Sequence, residues 1–147
     1  MTISFNKNFL IGMELVRRKY ITQEQLDEGL ILHQRRHIRL GAALVELGYI
    51  TEDDVAKVIA DQLGIAYIDF ETLEVSSELL QKAPRELIKN YNVFPVECSA
   101  NELTVCMADP LDNKVRHVLG EYLGEKFKMA IASKAAIRKA IEKHYAF

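Results

Sequence analysis

Two cysteines, Cys98 and Cys106, are all the thiol chemistry in this chain of 147 residues. That is too few for a disulfide scaffold or a four-ligand zinc site. No stretch reaches the apolar length of a membrane span, and the N-terminus lacks the charged-then-apolar pattern of a secretory signal. The chain is therefore expected to be cytoplasmic, without direct membrane insertion. The phosphate-cradling pattern G-x-x-x-x-G-K-[ST] is also missing. Gly120 and Gly124 are wrongly spaced, and neither is followed by Lys-Ser or Lys-Thr.

The hydrophobic and charged fractions, 49% and 27%, are those of a globular protein long enough to bury a core. Net charge is −2, unevenly spread. Residues 1–40 carry seven Lys/Arg against four Asp/Glu, and the rest carries twelve against seventeen. The front is mildly basic, as a solvated helix face would be.

The strongest positive signal is an internal repeat. LIGMELVRRKYITQEQLDEGLILH (Leu10–His33) and RLGAALVELGYITEDDVAKVIADQ (Arg39–Gln62) superimpose with a shift of 29 positions. Gly12 falls on Gly41, Leu15 on Leu44, and Tyr20-Ile21-Thr22 on Tyr49-Ile50-Thr51. A repeat of this size is one supersecondary unit used twice, and each copy reads as two helices joined by a turn. Thr22 with Gln25 forms a capping box, and Thr51 with Asp54 a weaker one. Leu26 and Leu30 share a helix face, as do Val55 and Ile59. Gly48 suits a helix C-terminus. The first copy has Lys19 there, so its turn must be built differently or be strained. Residues 1–9 read as a loose lead-in.

After Gly64 the pattern changes. Strands are expected over 66–70 and 127–132, and helices over 77–83, 85–91, 113–123 and 134–145. Ser76 or Ser77, Pro84 and Ser133 start three of these helices. A hairpin joins them, with Cys98 opposite Leu103, Val96 opposite Val105 and Phe94 opposite Met107. That register puts all six on one face and sends Cys98 and Cys106 to opposite faces. The expectation is an α+β protein. A helical subdomain, 1–65, is a tandem helix-turn-helix repeat. A small α/β subdomain, 66–147, carries a sheet of three or four strands.

Candidate chemistry is sparse. Leu103–Asp109 resembles a strand presenting a magnesium-holding Asp, but without a phosphate loop Asp109-Pro110-Leu111-Asp112 reads as a turn and helix cap. His33 and His37 lie four apart, yet the metalloprotease glutamate and a third ligand are missing, so no metal is expected. No nucleophile–base pair stands out. The cluster Arg35-Arg36-His37-Ile38-Arg39 brings DNA to mind, but Glu52, Asp53, Asp54 and Asp61 would repel phosphates on the second unit's second helix. No DNA partner is expected. Arg39-Leu40-Gly41 is more suggestive. Gly41 allows close approach, Arg39 can fork onto a phosphate or guanine, and Gln62 offers a donor and an acceptor. Leu40, Leu44 and Val45 could floor such a site, or equally be core.

The segments RLGAALVELGYITEDDVAKVIADQ and PVECSANELTVCMADPLD resemble the N-terminal domain of type II secretion and type IV pilus assembly ATPases, over roughly residues 10 to 145. The resemblance implies a non-catalytic domain, without a cofactor. It would dock on an inner-membrane assembly protein of the machine, or on a motor ATPase domain, and a partner could recruit it to the inner membrane. One branch of that family binds cyclic di-GMP through two copies of R-L-G-x-x-L…G…Q. Carried over, the second copy is complete: Arg39, Leu40, Gly41, Leu44, Gly48 and Gln62. The first keeps Gly12 and Leu15, but has Leu10 for Arg, Lys19 for Gly and His33 for Gln. Docking is thus the first expectation and a cyclic di-GMP receptor with a degenerate first motif the second. Leu10, Ile11 and Met13, apolar where ligand contacts are lost, are the candidate partner surface.

Overall fold

The computed structural model describes residues 7–110, 112–124 and 126–146. The chain divides into two compact units, 1–59 and 60–147. The division falls inside a helix, ahead of the composition change at Gly64.

The first unit holds α1 (Lys7–Arg17), α2 (Gln23–Arg36), α3 (Leu40–Glu46) and the greater part of α4 (Glu52–Leu63). The repeat survives as geometry. α1 and α3 end 29 residues apart, and so do the starts of α2 and α4. The first-copy turn is closed by the amides of Lys19 on Val16 and Tyr20 on Leu15; in the second, Gly48 bonds Val45 and Tyr49 bonds Leu44, all at 3.0 Å. This is the paired C-terminal closure that needs a left-handed residue. Thr22 accepts the Gln25 amide at 3.2 Å and Gln25 returns the bond to the Thr22 amide at 2.9 Å. Thr51 accepts the Asp54 amide at 3.1 Å. The lead-in differs from expectation. The helix starts at Lys7, and residues 1–6 lie outside the described residues.

Lys19 therefore does what Gly48 does, at φ +64 against +77. The two turns are built alike, and the lysine version is the strained one, because a Cβ crowds the carbonyl in left-handed backbone. Lys19 is exposed, so its side chain gives little in return. Lys19→Gly is expected to stabilise the chain by about 1 kcal/mol, the cost of left-handed backbone less glycine's extra entropy in the unfolded state. Chemical denaturation of the two proteins checks this; an unchanged or lowered midpoint contradicts it.

The second unit is built on a four-stranded mixed sheet in the order β1-β4-β3-β2, with β1 (Ala66–Tyr67), β2 (Phe94–Ser99), β3 (Glu102–Met107) and β4 (Phe127–Ile131). β2 and β3 are antiparallel, and β4 runs parallel to both β3 and β1. Its helices are α5 (Ser77–Leu80), α6 (Arg85–Tyr91), α7 (Asn113–Leu123) and α8 (Lys134–His144). Ser76, Asp112 and Ser133 cap α5, α7 and α8 through side-chain oxygens. β1 and α5 are shorter than the sequence suggests, since the Gln81 and Lys82 amides close a tight turn instead of extending α5.

The hairpin register needs a correction. Cys98 faces Leu103 as expected, but a bulge between Pro95 and Glu97 takes Val96 out of the ladder, and Phe94 faces Cys106. The six apolar residues accordingly divide between both faces of the sheet. Leu103, Val105 and Met107 join one core with Leu87, Ile88 and Leu119. Phe94, Val96 and Cys106 join the other with Ala130 and Ile137. β3 is an interior strand with parallel pairing on one side, and such strands are apolar on both faces. Cys98 is exposed and Cys106 buried, both free, and burial pushes the Cys106 thiol far above its ordinary pKa.

Candidate functional site

The motif residues of the helical unit are mostly its skeleton. Leu15, Leu40 and Leu44 are fully buried, in one core with Ile11, Ile21, Leu26, Ile50, Val55 and Val58. They do not form an exposed floor. Gly12 and Gly41 play matching parts. A Cβ on Gly12 would stand 2.6 Å from Leu26 Cδ1, and one on Gly41 would stand 2.9 Å from Val55 Cγ1. Leu26 and Val55 are themselves repeat-equivalent. Each copy thus uses its glycine to bring its first helix against its second, and in this structure Val55 already stands against Gly41. Gly29 does the same for α2 on α3, where a Cβ would meet Leu44 Cδ2 at 2.5 Å. The sequence singled out Gly12 and Gly41 but not Gly29, whose signal was a glycine in mid-helix on the Leu26 face, three residues on.

What remains at the surface is Arg39, Gly48 and Gln62, all exposed, with Gly41 half-buried. Arg39 is the N-cap residue of α3, in extended backbone. Gly48 closes the end of that helix. Gln62 falls past the division of the chain, in the last turn of α4. In the first copy the Gln position is taken up structurally: His33 Nδ1 bonds the Ile38 carbonyl across the α2–α3 turn. Arg17, a cation that could stand in for the missing one, is engaged by Glu14, with Nε–Oε2 at 2.9 Å, and Arg18 bonds the same carboxylate at 2.6 Å. These bonds, from Arg17 first and Arg18 second, hold the Glu14 carboxyl down at about 2. Their contribution is present above the ordinary carboxylate value and fades as pH falls towards 2. Arg36 of the basic cluster pairs with Glu46.

The apolar candidates split. Leu10 is 47% exposed and Met13 53%. Ile11 is 6% exposed and belongs to the core, not to a partner surface as expected, because it lies four residues before Leu15 on the inner face of α1. Leu10 and Met13, three apart, share an outer face of the same helix. Leu10 is the repeat equivalent of Arg39. It differs in backbone too, since Arg39 precedes its helix and Leu10 lies within α1.

Elsewhere, Asp109 and Asp112 make the expected turn, with the Asp112 amide on the Asp109 carbonyl at 3.2 Å and Asp112 capping α7. Among the described residues, no three His, Cys, Asp or Glu side chains are placed to hold a metal, and no helix is long and apolar enough to cross a membrane.

Comparison with known proteins gives a consistent picture. Residues 63–147 match the MshEN domain. The type IV pilus assembly ATPase PilB of Myxococcus xanthus (strain DK1622) is 30% identical over 136 residues, which are 92% of this chain and 24% of that protein. Bacteriophage adsorption protein B of Escherichia coli (strain K12) is 27% identical over 136 residues, 92% of this chain and 18% of the relative. The chain thus spans about a quarter or less of the length of these relatives. Among solved structures, MshE with cdg superimposes with TM-score 0.81 at 24% identity, covering 92% of this chain and 98% of the other. The N-terminal domain of XpsE superimposes with TM-score 0.70 at 23% identity, covering 92% and 94%.

Proposed function

The chain belongs to the MshEN domain family, and from that premise we propose that it is a non-catalytic docking domain of the pilus and secretion ATPase type. Its partner is an inner-membrane assembly protein of the machine, or the motor ATPase domain it serves. The observation that carries this reading is the exposed Leu10–Met13 face of α1. At the place where the second copy presents Arg39, the first presents an apolar pair to solvent. Exposed apolar side chains rimmed by polar ones are what partner sites are made of. The rim here is Glu14 with Arg17 and Arg18. Met13, unbranched and polarisable, adapts to a partner's shape.

The test is calorimetry between the chain and the cytoplasmic domain of the assembly protein from the same machine. The double change Leu10→Ser/Met13→Ser is expected to weaken binding tenfold or more, since truncating an anchor residue at the centre of an interface costs about 2 kcal/mol or more and tenfold is about 1.4 kcal/mol. It should leave the melting temperature nearly unchanged, because both residues are half-exposed. Equal affinity for the double variant and the parent would remove this face from the docking proposal.

A second reading, reception of cyclic di-GMP, is favoured by the intact second copy and by the shared fold with MshE, a protein solved with cdg. Cyclic di-GMP is two-fold symmetric and calls for two equivalent half-sites. Here Leu10 and His33 stand where the first half-site needs a guanidinium and an amide. We place it second on that account.

A further inference from the structure

We draw no further inference here: the strongest candidate, the open cavity between the outer flank of α7 and β4 that Arg116, Gly120, Phe127 and Met129 line, carries nothing, because nothing in the structure shows what occupies it.

Discussion

Leu44→Ala is expected to destabilise the helical unit by about 3–5 kcal/mol, and Gly29→Ala by about 1–3 kcal/mol, yet the two together should cost clearly less than their sum. Leu44 is fully buried, so its truncation loses transfer energy and opens a cavity. Gly29→Ala does the opposite. Its new Cβ would stand 2.5 Å from Leu44 Cδ2 and 3.0 Å from Leu44 Cγ, closer than packed carbons come, and Leu40 Cδ1 at 3.2 Å limits retreat. Once Leu44 is alanine, the atoms that the Gly29→Ala methyl strikes are gone, and that methyl refills part of the cavity. A double-mutant cycle by urea denaturation should show a favourable coupling of about 1 kcal/mol or more. Strict additivity would mean that α2 and α3 do not meet through this pair. Since whole domains are stable by only about 5–15 kcal/mol, the single Leu44 change consumes a large share.

The coupling marks what the repeat is for. Gly12, Gly41 and Leu15/Leu44 recur because a helix must lie close on its neighbour, and this suffices to account for the G-x-x-L part of the motif without a ligand. Periodicity and capping made this half of the protein legible. Thr22 with Gln25, and Tyr20 and Tyr49 after their turns, are local features whose partners lie within five residues. The parts misread are those where a local pattern has two tertiary solutions. Ile11 is the exception: it lies four residues before Leu15, a spacing that already assigns it, and not Leu10, to the inner face of α1. Phe94, Val96 and Val105 alternate as a one-faced hairpin would, but a bulge at Val96 is invisible to alternation. The usable signal was the unbroken run Val105-Cys106-Met107, which has no polar side to turn towards water. Lys19 was legible as an anomaly, and it keeps the turn geometry and bears the strain.

Leu10→Arg is expected to push the two readings of the helical unit in opposite directions. Cyclic di-GMP should bind the parent weakly, because the first copy lacks a cation where the second has Arg39. A charge-assisted hydrogen bond regained there contributes about 1.5–3 kcal/mol, tenfold or more in affinity at about 1.4 kcal/mol per decade. Position 10 is half-exposed, so the fold should accept the arginine at little cost. Adding His33→Gln supplies the second missing group but removes the bond from His33 to the Ile38 carbonyl. That loss is about 1 kcal/mol of stability in the α2–α3 turn, which the melting temperature of the double variant should register. For docking the same Leu10→Arg change is harmful, since it puts a charge into the apolar pair with Met13 and should weaken partner binding tenfold or more. Calorimetry of parent and variant against both cyclic di-GMP and the assembly protein therefore separates the readings. Sub-micromolar cyclic di-GMP affinity in the unmodified chain would show that the first copy is a working half-site despite Leu10. Stronger nucleotide binding with weaker docking in the variant would place both functions on one face of α1, with the residue at position 10 choosing between them.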